Sequence, residues 1–71
     1  MKVFRYDGTF ELAFLRDDEA VRSDGFRGIE IIDAKTKDVH ATAQVDDVIV
    51  RNADGTLTVI RSLGELVEVA N

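Results

Sequence analysis

Apolar and polar residues alternate through most of this chain, and the alternation stops at a few turn-forming pairs. Successive side chains of a strand point to opposite faces, so alternation marks strands with one buried side. Val3-Phe4-Arg5-Tyr6 and the stretch from Thr9 to Phe14 flank Asp7-Gly8, a pair whose glycine takes positive φ without steric cost. That pattern predicts a first hairpin with Tyr6 opposite Thr9, Phe4 opposite Glu11 and Val3 opposite Leu12. One face then carries Val3, Phe10, Leu12 and Phe14. The other carries Phe4, Tyr6, Ala13 and Leu15, and is more apolar than a solvated face should be. A helix over 10–23 is the competing reading, because Phe10, Ala13, Phe14, Asp17 and Val21 recur at helical spacing. It would put Asp17, Asp18 and Glu19 in its later half, against the helix dipole. The favoured reading is therefore a strand, then a short helical turn starting near Asp17 or Asp18 and closed by Ser23-Asp24-Gly25.

Further on, Gly28 to Ile32 predicts a strand, and residues 33–38 a polar reversal. Val39, Ala41, Ala43 and Val45 then alternate strictly with His40, Thr42 and Gln44, up to a break at Asp46-Asp47. The last clear hairpin joins Val48–Asn52 to Thr56–Ile60 through Ala53-Asp54-Gly55, a type I turn with Gly55 left-handed at a bulge. It pairs Arg51 with Leu57, Val50 with Thr58, Ile49 with Val59 and Val48 with Ile60. Ile49, Leu57 and Val59 share one face; Val48, Val50 and Ile60 share the other, so both are aliphatic. Ser62 and Glu65 have capping-box spacing, and Leu63, Leu66, Val67 and Ala70 fit a helix face, yet Leu66 to Val69 also reads as strand. A helical turn followed by a short closing strand reconciles the two. The expected fold is a mostly β, single small domain over residues 1–71. It is an antiparallel sheet, or a barrel resembling the SH3-like class in its order of elements only, with one or two short helical turns.

Size makes the apolar second faces matter. A chain of 71 residues buries only roughly 60% of its unfolded surface. With no cysteine, it has neither disulfides nor Cys-based zinc sites to compensate. Tight packing or self-association remain as routes to stability. No apolar run approaches the roughly 20 residues needed to cross a bilayer, and the charged, alternating start is unlike a signal peptide. The expectation is a soluble cytoplasmic protein without membrane contact.

The net charge is −5, from nine basic and fourteen acidic residues. No Lys/Arg cluster exists to hold a phosphate backbone, so direct nucleic-acid binding is not expected. Acidity keeps a small domain soluble, and would also suit a basic partner or a nucleic-acid-mimic inhibitor.

Candidate chemistry is sparse. His40, the one histidine, occupies an outward strand position and reads as solvated, with Asp38 and Asp46 the nearest orienting carboxylates in sequence. Ser62 is a cap, and neither it nor Ser23 has a histidine nearby in sequence. The acids at 17–19, 24 and 46–47 lack calcium-loop spacing, with Asn52 to Gly55 matching only part of one. Gly25 and Gly28 do not form a phosphate loop. No catalytic residue, metal ligand or cofactor is expected, and the chain does not read as an enzyme. All five aromatics lie within the first 26 residues, and Phe4 with Tyr6 would anchor a protein partner if exposed. The alternative is that the 16–25 segment covers them.

The expected function is thus non-catalytic binding to another protein, with inhibition of that protein as one outcome, in a short acidic chain that resembles phage or plasmid accessory proteins. A homodimer built on Val48, Val50 and Ile60, or on Phe4 and Tyr6, is the expected assembly. The alternatives are a structural subunit of a virion-type assembly and an acidic nucleic-acid mimic.

Overall fold

A computed structural model describes residues 1–62. The strands are β1 (Lys2–Arg5), β2 (Glu19–Ser23), β3 (Gly28–Asp33), β4 (Val39–Gln44), β5 (Val48–Arg51) and β6 (Leu57–Ile60), with a single 3₁₀ turn at Leu12–Phe14. They form two antiparallel three-stranded sheets, ordered β1-β5-β6 and β2-β3-β4. The mostly β expectation holds. The helical turn and closing strand that suggested an SH3-like order, and the Ser62–Glu65 cap, involve residues after 62 and lie outside the described residues.

The β5–β6 hairpin has the register expected from its turn: Val48 faces Ile60, Ile49 faces Val59, Val50 faces Thr58 and Arg51 faces Leu57. Gly55 takes φ +92°, and the Asp54 carboxylate accepts from the Thr56 amide and hydroxyl. The first hairpin does not form. Gly8 turns with φ +106° and Asp7 accepts from the Thr9 amide, but β1 pairs with β5, placing Val3 opposite Val50 and Phe4 opposite Ile49. Residues 11–15 close a 3₁₀ turn, which packs the Phe10 ring edge-on and the Phe14 ring tilted against Phe4, with centroids 5.1 and 5.7 Å away, instead of extending them along it. The four-residue spacing of Phe10 and Phe14 serves that packing. The short helical turn therefore falls at 12–14, and Asp17-Asp18 is a tight turn feeding directly into β2.

Ser23-Asp24-Gly25 does not close a helix; it starts the β2–β3 hairpin loop. The Asp24 carboxylate accepts from the amides of Phe26 and Gly28, and Ser23 Oγ accepts from Gly25. Strand β4 departs from strict alternation at one point. Ile31 faces Ala41 and Ile32 faces Val39, so His40 is an extra residue in a bulge. The bulge turns Val39 outward, 48% exposed, and swings His40 towards the space between the sheets.

The core draws on both sheets and the 3₁₀ turn: Ile29, Ile31 and Ala43 meet Ile49, Tyr6 and Phe14. Tyr6 is only 7% exposed, and Phe4 packs against the same cluster. Neither stands open as a contact residue: Phe10 and Phe14 pack on their rings, and Val21, from the 16–25 segment, packs against the same cluster.

Candidate functional site

Two features could carry function: a polar centre between the sheets, and the outer face of β1-β5-β6. In the first, Glu19 opens β2 at an inward position and Arg51 ends β5 at another. Arg51 Nη1 donates to Glu19 Oε2 at 3.1 Å and Nη2 donates to Oε1. Both side chains are buried, Glu19 to 2% exposure. The Arg16 amide donates to Oε1 at 3.0 Å, and His40 Nδ1 lies 2.9 Å from Oε2. Since the carboxylate only accepts, that histidine nitrogen carries the proton. Arg51 also donates to the Gly55 carbonyl and lies over the Phe14 ring at 5.6 Å.

Burial is the largest single influence on the Glu19 carboxyl and would raise its pKa. The hydrogen bonds from Arg51, the Arg16 amide and His40, with the Arg51 charge, outweigh burial and hold it at about 2 against an ordinary 4.5. Glu19 is thus a fixed anion with every lone pair engaged, joining the sheets. It cannot serve as a base near neutral pH without breaking these bonds.

An open cavity of about 320 Å³ lies above this centre, bordered by Arg16, Asp18, His40, Thr56 and Leu57. The side chain of His40 is 34% exposed, so it is not the freely solvated residue that alternation implies. Its carboxylate partner is Glu19, twenty-one residues away, and neither Asp38 nor Asp46. The Thr56 hydroxyl there donates to Asp54 at 2.6 Å and accepts from the Asn52 side-chain amide, bonds that brace the β5–β6 turn. Among the described residues, no three His, Asp or Glu side chains gather to hold a metal ion.

The second feature follows from register. Opposed pairs share a face, so Val3, Arg5, Val48, Val50, Thr58 and Ile60 all point away from the core. Val3 is 65% and Ile60 52% exposed, and Val48 and Val50 are half-buried between them. Of the residues expected to contact a partner, Val48, Val50 and Ile60 come together here, joined by Val3. Phe4 and Tyr6 lie on the opposite, inward face.

Much of the acidity has a local use. Asp7, Asp24, Asp33 and Asp54 each accept hydrogen bonds from amides of their own turns. The Thr36 and Lys35 amides lower the Asp33 carboxyl, and the Thr56 hydroxyl, then its amide, lowers that of Asp54. No helix among the described residues is long and apolar enough to cross a membrane. Comparison with known proteins finds no family model, no curated protein and no solved structure that matches this chain.

Proposed function

We propose that this chain is a non-catalytic protein-binding module that works through the outer face of β1-β5-β6, where two copies pair. The observation that carries this reading is the composition of that face. Four of its six outward positions are aliphatic, Arg5 is its one charge, and no acid points outward, in a chain of net charge −5. An antiparallel sheet face meant for water is ordinarily polar, and contiguous exposed apolar patches mark interfaces. Spending turn aspartates on backbone amides favours protein binding over a nucleic-acid mimic, which would need its carboxylates arrayed outward.

Sedimentation across micromolar concentrations tests the reading. Native protein should shift towards a dimer as concentration rises. Val50→Asp, which puts a charge in the middle of the face, should remain monomeric with an unchanged circular dichroism spectrum. A native chain that stays monomeric throughout overturns the pairing.

A further inference from the structure

Three Asp-Gly pairs sit in turns, Asp7-Gly8, Asp24-Gly25 and Asp54-Gly55, and the fold treats them unequally. An aspartate followed by glycine can close on itself, the glycine nitrogen attacking the side-chain carboxyl carbon to give a five-membered succinimide. The attacking nitrogen must give up its proton and its peptide resonance, and the carboxyl must turn towards it. A hydrogen bond donated by that amide opposes the first change. Several bonds accepted by that carboxylate oppose the second.

At two of the pairs both reacting groups are engaged. The Gly55 amide donates to the Asn52 carbonyl at 2.9 Å, and the Asp54 carboxylate accepts from the Thr56 hydroxyl at 2.6 Å and the Thr56 amide at 3.0 Å. The Gly25 amide donates to Ser23 Oγ at 3.1 Å, and the Asp24 carboxylate accepts from the Phe26 and Gly28 amides. Asp7-Gly8 differs. The Gly8 amide donates to no group among the described residues, and the Asp7 carboxylate accepts only from the Thr9 amide among them, at 2.9 Å. Both residues are exposed, and no atom beyond the chain neighbours lies within 4 Å of a Cβ built on Gly8, so the carboxyl has room to swing.

We propose that Asp7 is the site at which this chain spontaneously forms isoaspartate. The Gly8 nitrogen bonds to Cγ of Asp7, the bond from Cγ to the hydroxyl of the neutral acid breaks, and that hydroxyl leaves with the amide proton as water. Water then adds to the main-chain carbonyl carbon of Asp7 and breaks its bond to the Gly8 nitrogen. The chain now runs through the former side chain, one atom longer, and the old main-chain carbonyl is a free carboxylate. The added atom falls between Tyr6, which the β4–β5 turn holds through both its amide and its carbonyl, and Phe10, packed on Phe4. No residue of the outer face takes part, so the proposal does not rest on the pairing described above.

The test is prolonged incubation of the full chain at body temperature and neutral pH, folded and in concentrated urea. Trypsin, which cuts after Lys and Arg, then releases the three pairs in separate peptides, 6–16, 23–27 and 52–61. Chromatography with electron-transfer fragmentation measures the isoaspartate in each. In the folded chain it should build up at Asp7 about tenfold faster than at Asp24 or Asp54, the factor for one further hydrogen bond to break at the reacting atoms. In urea these bonds are gone and the three rates should converge. Ser23→Ala, which frees the Gly25 amide, should raise the folded-state rate at Asp24 and leave Asp7 unchanged. Equal rates in the folded chain overturn the proposal. An excess at Asp7 that persists in urea also overturns it, by assigning the effect to local sequence, and an unmoved Asp24 rate in Ser23→Ala removes the role given to the free amide.

Discussion

Glu19 and Arg51 are thirty-two residues apart and close a buried, two-pronged ion pair between the β2-β3-β4 sheet and the β1-β5-β6 sheet. Taking two charges out of water is costly, and geometry recovers that cost only where the remaining lone pairs are also satisfied. They are satisfied here, by the Arg16 amide and His40 on the carboxylate and by the Gly55 carbonyl on the guanidinium.

The pair makes stability depend on acid. The Glu19 carboxyl is depressed to about 2 in the folded chain, against an ordinary 4.5. Its contribution is therefore complete above pH 4.5 and is lost as pH falls from there through about 2. The difference corresponds to about 3 kcal/mol when fully lost. Urea denaturation at pH 7 and pH 2.5 should show the decline. Glu19→Gln should be destabilised by about 3 kcal/mol at pH 7, because it strands the Arg51 charge, and should lose less on acidification. A variant with the native acid profile would show that Glu19 is not the group responsible.

Gly28 is required for room rather than for backbone freedom. A Cβ there would overlap the Ala43 carbonyl oxygen of β4 and come within 2.6 Å of Asp24 Oδ2. The backbone oxygen cannot move without opening the β3–β4 ladder. Gly28→Ala should cost about 1–3 kcal/mol, the range for forcing an atom into a packed site. Thermal denaturation checks this, with an unchanged midpoint as the contrary result.

Gly8 and Gly55 are required for the opposite reason. At Gly8, φ is +106° and no atom lies within 4 Å of a built Cβ, so the entire cost of a side chain is conformational. Gly8→Val and Gly55→Val should each destabilise by about 1–2 kcal/mol. At Gly55 the Arg16 guanidinium, 2.7 Å from the built Cβ, must also swing away, which a flexible side chain does at little cost. Denaturation midpoints that do not move would mean that both turns tolerate a β-branched residue.

These glycines also mark what the sequence made legible. The β5–β6 hairpin was readable to the residue, because a short turn and its flanking alternation determine register locally. The first hairpin was not. Its turn formed, but β1 found its partner in β5, more than forty residues away, while Phe10 and Phe14 folded onto Phe4. Local pattern cannot weigh that long-range pairing against the near one. His40 was misplaced by a single bulged residue, which no alternation rule anticipates. The Glu19–Arg51 pair leaves a trace in the sequence: Arg51 faces Leu57 on the same side as Ile49 and Val59. A charge on an otherwise apolar face calls for a buried partner of opposite sign. The outer face of Val48, Val50 and Ile60 was legible because it follows from register alone.

Asp46 and Asp47 are adjacent and should respond to substitution with opposite signs. Asp46 is exposed at φ +80°, in the tight turn from β4 to β5, and its amide donates to the Tyr6 carbonyl at 2.7 Å. Glycine keeps that donor and removes the steric penalty of a side chain at positive φ. Asp46→Gly should therefore stabilise the fold, by up to about 1 kcal/mol once the looser unfolded chain is allowed for. Asp47 is 1% exposed, and its carboxylate accepts from the Gln44 amide, the Arg61 guanidinium and the Ser62 amide. Asp47→Ala removes all three bonds and leaves the half-buried Gln44 amide without its carboxylate acceptor, at a cost of about 3 kcal/mol. Denaturant titration of the two variants against the native chain decides the matter. The midpoint should rise for Asp46→Gly and fall for Asp47→Ala, and two shifts of the same sign would contradict this account of the turn.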